Sequence, residues 1–472
     1  MLFERKSFME TVKAMAPDDY VLFRDSAEKG DFEVLCVKKT KYWEKKTLMK
    51  AVFHSEDSNI YSDDVGVIGE PFLANAQDVL SALAGKDFYA EYKNGLFDGV
   101  SVFKHGFTGN DDDSPYHKIT YLRKSVKEFE KEAVPELCLT ILAGQHQIIT
   151  KNVKKFVSSD ETRHFLNSVH FHFSGKNDIR VAATDGRSLA VYELSGEFDE
   201  AKKDSKYTVS PDMLFVPPFK YESAVYEFSK EIVRVTVRGK SSDPVISAYG
   251  VALEWMDLHN ARRELNGLVN GDEEAVKGYT DVKKRIKTLK EEIEKYLEKG
   301  CGGANFPNYE KVIPENNPEK LTFSKEEICL ALEKIKRYLS KSGSFIIEAV
   351  DENVCLTSYT DMTKWKGIEY IDTKLPLKKV TVTRPVRLVF NRDCFEKCCL
   401  EGADKTEFRM KDMRSAFLTE GVDFLKGNSV KVKKIFMPNF LPEGFGIYGE
   451  APEIIKTTNE EDLAKINAEN DD

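Results

Sequence analysis

Residues Asp160 to Leu194 read DETRHFLNSVHFHFSGKNDIRVAATDGRSLAVYEL, and no other stretch says as much about the fold. Asp185 and Gly186 stand between alternating apolar and polar runs, which places a hairpin turn there, because Asp and Gly tolerate the positive φ of a tight turn. Upstream, His170 and His172 are two apart in the run VHFHFSG, so they share one face of a strand. With no third ligand at a fitting spacing, they are expected to be packing residues and not a metal site.

Working outward, similar β-rich runs recur: FEVLCVKK and TLMKAVFH, FYAEYKN and GVSVFKH, and later IVRVTVRG, SFIIEAV and RLVFN. Helix-start signals, each a capping residue just before an apolar-periodic run, occur at Ser7, Asn75, Gly144, Ser210, Ser324 and Asn391. Ser7 with Glu10 and Ser324 with Glu327 form capping boxes. Ser210-Pro211-Asp212 puts proline at the first helical position, where its missing N–H costs nothing. Successive starts are 68, 69, 66, 114 and 67 residues apart, so one interval exceeds the others by about 47.

The excess has a visible source between Glu254 and Gly300, where the composition turns charged and helical. Val282, Ile286, Leu289, Ile293 and Tyr296 are spaced as an apolar seam, and Leu258, Leu265 and Leu268 supply a second arm ending near Asn270-Gly271. The span 254–300 is therefore expected to be an inserted helical hairpin. Six units of one short helix plus several strands predict an α+β chain of three tandem domains, each built from two half-repeats. The expected domains are 1–130, 131–314 with the insertion, and 315–441, followed by an acidic tail at 442–472.

Composition narrows the function classes. The 472 residues are 41% hydrophobic and 32% charged, with 30 Phe and 19 Tyr, which suits packed cores and excludes wholesale disorder. Neither a membrane-length apolar run nor the apolar core of a signal peptide is present, so no membrane partner and a cytoplasmic location are expected. The eight Cys show no CxxC pair; Cys394, Cys398 and Cys399 share a helix with Phe395 and read as core thiols. The net charge of −9 argues against a protein that coats nucleic acid, while leaving room for a local basic surface. The tail carries nine acids against Lys456 and Lys465, so most of that charge lies outside the three domains.

There is no GxxxxGK[ST] loop, no GxGxxG after a strand, no HExxH and no GxSxG, so no catalytic residue, cofactor or metal is expected. The acids Asp111-Asp112-Asp113 and Glu460-Glu461-Asp462 read as solvated loops or tails.

The run ETRHFLNSVHF followed by VAATDGRSLAVYEL resembles the second domain of the bacterial β sliding clamp, the DNA polymerase III β subunit family. NFPNYEKVIP (Asn305–Pro314) is similar to that family's junction of domains two and three, and KIFMPNFL (Lys434–Leu441) to its closing motif. The resemblance covers about residues 1–441 and is strongest from 137 onward. It implies a non-catalytic processivity factor for DNA replication: a head-to-tail homodimer that encircles double-stranded DNA without reading sequence. Such a ring serves a replicative DNA polymerase and is placed by a clamp loader.

Carried over position by position, the resemblance implies a partner-peptide pocket of Leu166, Thr184, Gly186, Arg187, Leu189, Pro307, Lys311, Val312, Ile435, Met437 and Pro438. Basic helix residues facing phosphates would be Lys13, Lys151, Lys154, Lys155, Lys334, Arg337 and Lys341, joined by a loop of Arg163, His164 and Phe165. Departures are visible. Arg187 and Ser188 stand where the family has His then Arg, and Asn439 and Phe440 replace an apolar residue and Arg. Two other readings stay open: a clamp-fold interaction module that no longer encircles DNA, and a metal-dependent DNA-processing enzyme.

Overall fold

The computed structural model describes residues 2–15, 20–25, 32–40, 43–53, 72–84, 89–93, 96–97, 100–101, 135–175, 178–194, 198, 204–229, 231–240, 243–270, 276, 279–299, 306–335, 343–350, 353–358, 375–377, 380–382, 386–411 and 415–437. The expected candidates Arg337, Lys341 and Pro438, the departures Asn439 and Phe440, and the acidic tail lie outside the described residues.

Helices in chain order are α1 (Arg5–Met15), α2 (Ala76–Leu83), α3 (Ala143–Val153), α4 (Met256–Val269), α5 (Val282–Lys299), α6 (Lys325–Ile335) and α7 (Arg392–Cys398). The first strands are β1 (Leu2–Glu4), β2 (Tyr20–Asp25), β3 (Phe32–Thr40), β4 (Trp43–Phe53), β5 (Phe72–Asn75), β6 (Tyr89–Lys93), β7 (Leu96–Phe97) and β8 (Val100–Ser101). Next come β9 (Leu137–Leu142), β10 (Val169–Gly175), β11 (Asp178–Thr184), β12 (Ser188–Leu194), β13 (Lys206–Val209), β14 (Ser223–Phe228), β15 (Ile232–Val237) and β16 (Val245–Val251). The last are β17 (Glu319–Ser324), β18 (Ser344–Val350), β19 (Asn353–Ser358), β20 (Leu375–Leu377), β21 (Val380–Val382), β22 (Val386–Asn391), β23 (Lys405–Met410), β24 (Phe417–Leu425) and β25 (Asn428–Phe436). Among the described residues no helix is long and apolar enough to cross a membrane.

The chain divides into two compact units. The first comprises Met1–Thr150, Asp160–Arg180 and Ser195–Phe306. Its main sheet has eight antiparallel strands in the order β5-β2-β3-β4-β16-β15-β14-β9. Two four-stranded halves meet where β4 pairs with β16, Ala248 opposite Met49 and Ile246 opposite Ala51. Strand β9 shows why such runs form strands: Leu137, Leu139 and Ile141 are buried while Cys138, Thr140 and Leu142 are exposed, a strict period of two. A separate four-stranded sheet runs β1-β6-β7-β8. Phe8 of α1 packs on Phe23 and Phe53 of the main sheet, with ring centroids 6.2 and 5.1 Å away. The 254–300 insertion forms two helices, α4 and α5, which close over Ala261, Leu265, Leu268, Leu289, Ile286, Ile293 and Tyr296. Leu258 is fully buried but lies outside that seam.

The second unit comprises Lys151–Ser159, Val181–Leu194 and Pro307–Asp472. In it the antiparallel order β12-β25-β24-β23-β17-β21 is accompanied by a four-stranded sheet β20-β19-β18-β22. An aromatic core of Phe323, Phe345, Phe390, Phe395, Phe408, Phe417 and Phe436 fills it; Phe395 of α7 lies 5.0 Å from Phe323 and 5.2 Å from Phe390.

Three helix starts differ from expectation, the first because α3 begins at Ala143 and so holds Gly144 inside its first turn. At Ser210 the helix is reduced to one 3-10 turn, Pro211–Met213, with the Ser210 hydroxyl accepting from the Asp212 N–H. Pro217 and Pro218 follow closely, and a proline there removes a donor and clashes with the preceding turn. The turn still docks on the sheet, because Met213 Sδ would lie 2.7 Å from a Cβ at Gly250, so only glycine leaves it room. At the N-terminus β1 runs directly into α1, which begins at Arg5, so Ser7 lies inside the first turn and is not its cap. Asn75, Ser324 and Asn391 do immediately precede helices, and the Asn391 side chain accepts from the Cys394 N–H at 3.1 Å.

Candidate partner and nucleic-acid interface

The Asp185-Gly186 turn joins β11 to β12, with Gly186 at φ 85°. One carboxylate organises it. Asp185 Oδ1 accepts from the N–H groups of Arg187 (2.9 Å) and Ser188 (2.7 Å), and Oδ2 accepts from the Ser188 hydroxyl (2.9 Å). Thr184 closes the other side, its hydroxyl donating to the Ser188 carbonyl (2.7 Å) and accepting from the Gly186 N–H (3.1 Å). The turn is then tied to two distant segments. Lys397 of α7 reaches Asp185 Oδ2 at 3.1 Å, and the Met437 N–H donates to the Arg187 carbonyl at 2.9 Å. Burial pushes the Asp185 carboxyl up, but the Ser188 and Arg187 N–H groups and the Lys397 ammonium outweigh it and hold it below its ordinary 3.8.

The pairing of β12 with β25 sets Leu189 opposite Ile435 and Ser188 opposite Phe436, so the turn and the chain's closing motif lie side by side. Leu189 and Ile435 are buried, whereas Met437 is 47% exposed and Arg187 is exposed. Pro307 and the 3-10 turn Tyr309–Val312 belong to the same unit; Tyr309 is buried, Lys311 exposed and Val312 57% exposed. Met437 thus leaves an apolar side chain open beside the turn, and Val312 is an open apolar side chain in the same unit. Leu166 is buried in the first unit.

Deep in the second unit, the fully buried Asp423 gathers four donors. Its Oδ2 accepts from Tyr192 OH (2.7 Å) and Asn152 Nδ2 (3.1 Å), and its Oδ1 from the Glu401 N–H (2.7 Å) and Lys434 Nζ (2.9 Å). Lys434, 1% exposed, also donates to the Cys399 carbonyl. Burial, then the Asp423 charge, pushes the Tyr192 hydroxyl well up, which keeps it a donor. Asn152 thereby anchors the segment 151–159, which carries Lys151 and Lys154, both exposed. Lys155 is half-buried and paired with Glu401 at 2.5 Å.

No family model matches this chain, and no curated protein matches it in sequence. Solved structures do. A DNA polymerase III β subunit from Thermotoga maritima aligns at 14% identity with a TM-score of 0.59, covering 93% of this chain and 99% of its own. A sliding clamp from Pseudomonas aeruginosa bound to griselimycin aligns at 11% identity and TM-score 0.58, with the same coverage. The β subunit from Borrelia burgdorferi in complex with a natural product gives 11% and 0.59, over 93% and 98%. This chain has the sliding-clamp fold.

On this clamp fold the residues singled out from sequence fall into distinct places. Thr184, Gly186, Arg187, Leu189, Ile435 and Met437 are brought together by the β12–β25 pairing. Lys13 is exposed on α1 and Lys334 on α6, while Arg163, also exposed, is 3.7 Å from Asp160. Phe165 is half-buried. For His164 only the backbone is described, within the 3-10 segment Glu161–Leu166. The two strand histidines pack: His170 stacks on Phe306 at 4.7 Å, and its Nδ1 meets the Thr208 hydroxyl at 2.8 Å. Burial, then the charges of His172 and Lys206, lowers His170 to about 3, so it is neutral at ordinary pH.

Sequence reading missed three things at this site. Lys397 carries no local mark of its partner, which is 212 residues away. Cys394, read only as core, is within electrostatic reach of Asp185, Lys397 and Arg187. The Lys434–Asp423 pair had a usable signal, since Val430, Val432, Lys434 and Phe436 share one face of β25 and the other three are apolar.

Proposed function

We propose that this chain is a DNA sliding clamp, a non-catalytic ring that encircles duplex DNA as a head-to-tail homodimer and tethers a replicative polymerase. The observation that carries the reading is in the sheets. Four-stranded halves are joined at β4–β16, yet the sheets β1-β6-β7-β8 and β20-β19-β18-β22 stay four-stranded, with no further strand on their outer edges among the described residues. Open edges of this kind pair or aggregate, and pairing the first sheet of one copy with the last of another closes a cyclic dimer. The three domains would then be 1–130, 131–314 and 315–441, with six in the ring.

Lys13, Lys151, Lys154 and Lys334 supply sequence-independent phosphate contacts, and Arg163 to Phe165 a contact at the ring face. Partners insert a peptide beside the Asp185 turn, with Met437 and Val312 as apolar anchors, and a clamp loader places the ring on DNA. Processivity arises by raising the effective concentration of a bound polymerase at its template. Light scattering tests the ring: a mass about twice the 53.7 kDa of the chain is expected, and monomer alone across micromolar concentrations overturns it. Met437→Ala should weaken binding of a clamp-directed polymerase peptide about tenfold or more, since burying an apolar anchor is worth roughly 1.5–3 kcal/mol. Unchanged affinity places the peptide elsewhere.

A further inference from the structure

The helix α5 carries Lys283, Lys284, Arg285, Lys287 and Lys290 between residues 282 and 290, with no acid until Glu291. The structure divides these five cations by role. Arg285 is structural: it grips Glu264 of α4 through two hydrogen bonds of 2.7 and 2.8 Å, and Tyr279 joins the same carboxylate at 2.6 Å. The four lysines are exposed and hold nothing together. Lys287 comes within 4.0 Å of Glu291, but at 81% and 65% exposure that pair is screened. Lys283, Lys284 and Lys290 form no ion pair among the described residues.

Their placement also runs against helix stability. Cations in the first turn of a helix oppose its dipole, which applies to Lys283 and Lys284, and Asp281, whose side chain accepts from the Lys284 N–H at 3.0 Å, offsets them. With Lys287 and Lys290 they concentrate four exposed positive charges within eight residues. At 1.5 Å per residue, Lys283, Lys287 and Lys290 follow one another at about 6 and 4.5 Å along the axis, which makes a row of positive charge down one side of the helix. Between Lys283 and Lys290 the apolar side chains, Ile286 and Leu289, turn into the seam with α4, so the face has none of the aromatic or apolar anchors that protein partners need.

We propose that the lysine face of α5 is a second contact surface for the sugar-phosphate backbone of duplex DNA, separate from the helices assigned to the ring lining. It binds as point charges, without base readout, so its contribution is electrostatic and salt-sensitive. The inference does not require ring closure.

The test uses the full chain and a short linear duplex, with binding followed by fluorescence anisotropy across a salt series. Changing Lys283, Lys284, Lys287 and Lys290 together to Gln should lower the log–log salt slope by up to about 3.6, since each phosphate contact contributes about 0.9. Affinity at the lowest salt should fall at least tenfold. The same four changed to Arg must bind as the original does, which separates lost charge from a damaged hairpin. An unchanged slope in the Gln variant overturns the proposal. Capture of polyglutamate by the lysine face with no effect on DNA assigns it to an acidic protein and likewise overturns it. Solution mass separately decides the dimer, so the two readings fail independently.

Discussion

Replacing Lys434 by Met removes one charge from the driest place in the second unit and leaves the chain's shape nearly intact. The Lys434 ammonium is 2.9 Å from Asp423 Oδ1, with the two side chains 1% and 0% exposed. At an effective dielectric of about 20 their attraction is roughly 5–6 kcal/mol, and at the lower values of a dry interior it is larger. Without Lys434, Asp423 keeps Tyr192, Asn152 and the Glu401 N–H but no compensating charge, and the Cys399 carbonyl loses a donor. Breaking one side of such a pair costs about 3–5 kcal/mol, while Met refills most of the volume. The transition of this unit should therefore fall by roughly 6–20 °C, at about 2–4 °C per kcal/mol for a unit of this size. Urea titration by circular dichroism should show a lower midpoint with an unchanged slope. Lys434→Met with Asp423→Leu should cost less than the sum of the two single changes, because no charge is stranded, although Tyr192, Asn152 and the Glu401 N–H lose their acceptor. A loss below about 1 kcal/mol in the single variant, or a double variant no better than the sum of the singles, refutes the reasoning.

Two further outcomes are expected. His170 is held neutral down to about pH 3, so its contribution to stability is complete above its ordinary 6.5 and declines as pH falls toward 3, by up to about 1.4 kcal/mol per unit; His170→Gln should flatten that decline in pH-dependent urea titrations, and an equal slope in both proteins counts against it. Lys397→Met should unpin the Asp185 turn and speed amide exchange at Arg187 and Ser188, with Lys397→Arg retaining protection; equal exchange in the original and Lys397→Met would show that the turn needs no tether.

How far the sequence went depended on how local each cause was. The Asp185-Gly186 turn was readable because Asp, Gly and the flanking alternation act within a few residues. The helix starts after Asn75, Ser324 and Asn391 were readable for the same reason. Ser210 misled because its signal looks only forward to Pro211, while Pro217 and Pro218 decide how far a helix can run. At Ser7 the capping pattern was outweighed by β1, whose pairing with β6 delivers the chain straight into α1 at Arg5. The inserted hairpin was legible as a break in the spacing and as an apolar seam, but which of its cations holds the arms together was not, since Glu264 and Arg285 are on different helices. Lys397 is the extreme case, for its role exists only once β12 and α7 have met.

The second unit is assembled from pieces that leave the ribosome far apart in time. Asp423 must wait for its own synthesis before it can take hydrogen bonds from Tyr192 and Asn152, made 231 and 271 residues earlier. Until β25 emerges, the edge of β12 that it covers stands open, and that edge lies next to a run of apolar side chains. Closing loops of this length is slow, and unpaired edges are where nascent chains stick to one another. The interval between the emergence of β12 and that of β25 is thus the hazardous stage of its life. A chain that stops before β24 carries β12 and α7 without the hairpin that seals them, and quality control would meet it as an incomplete sheet.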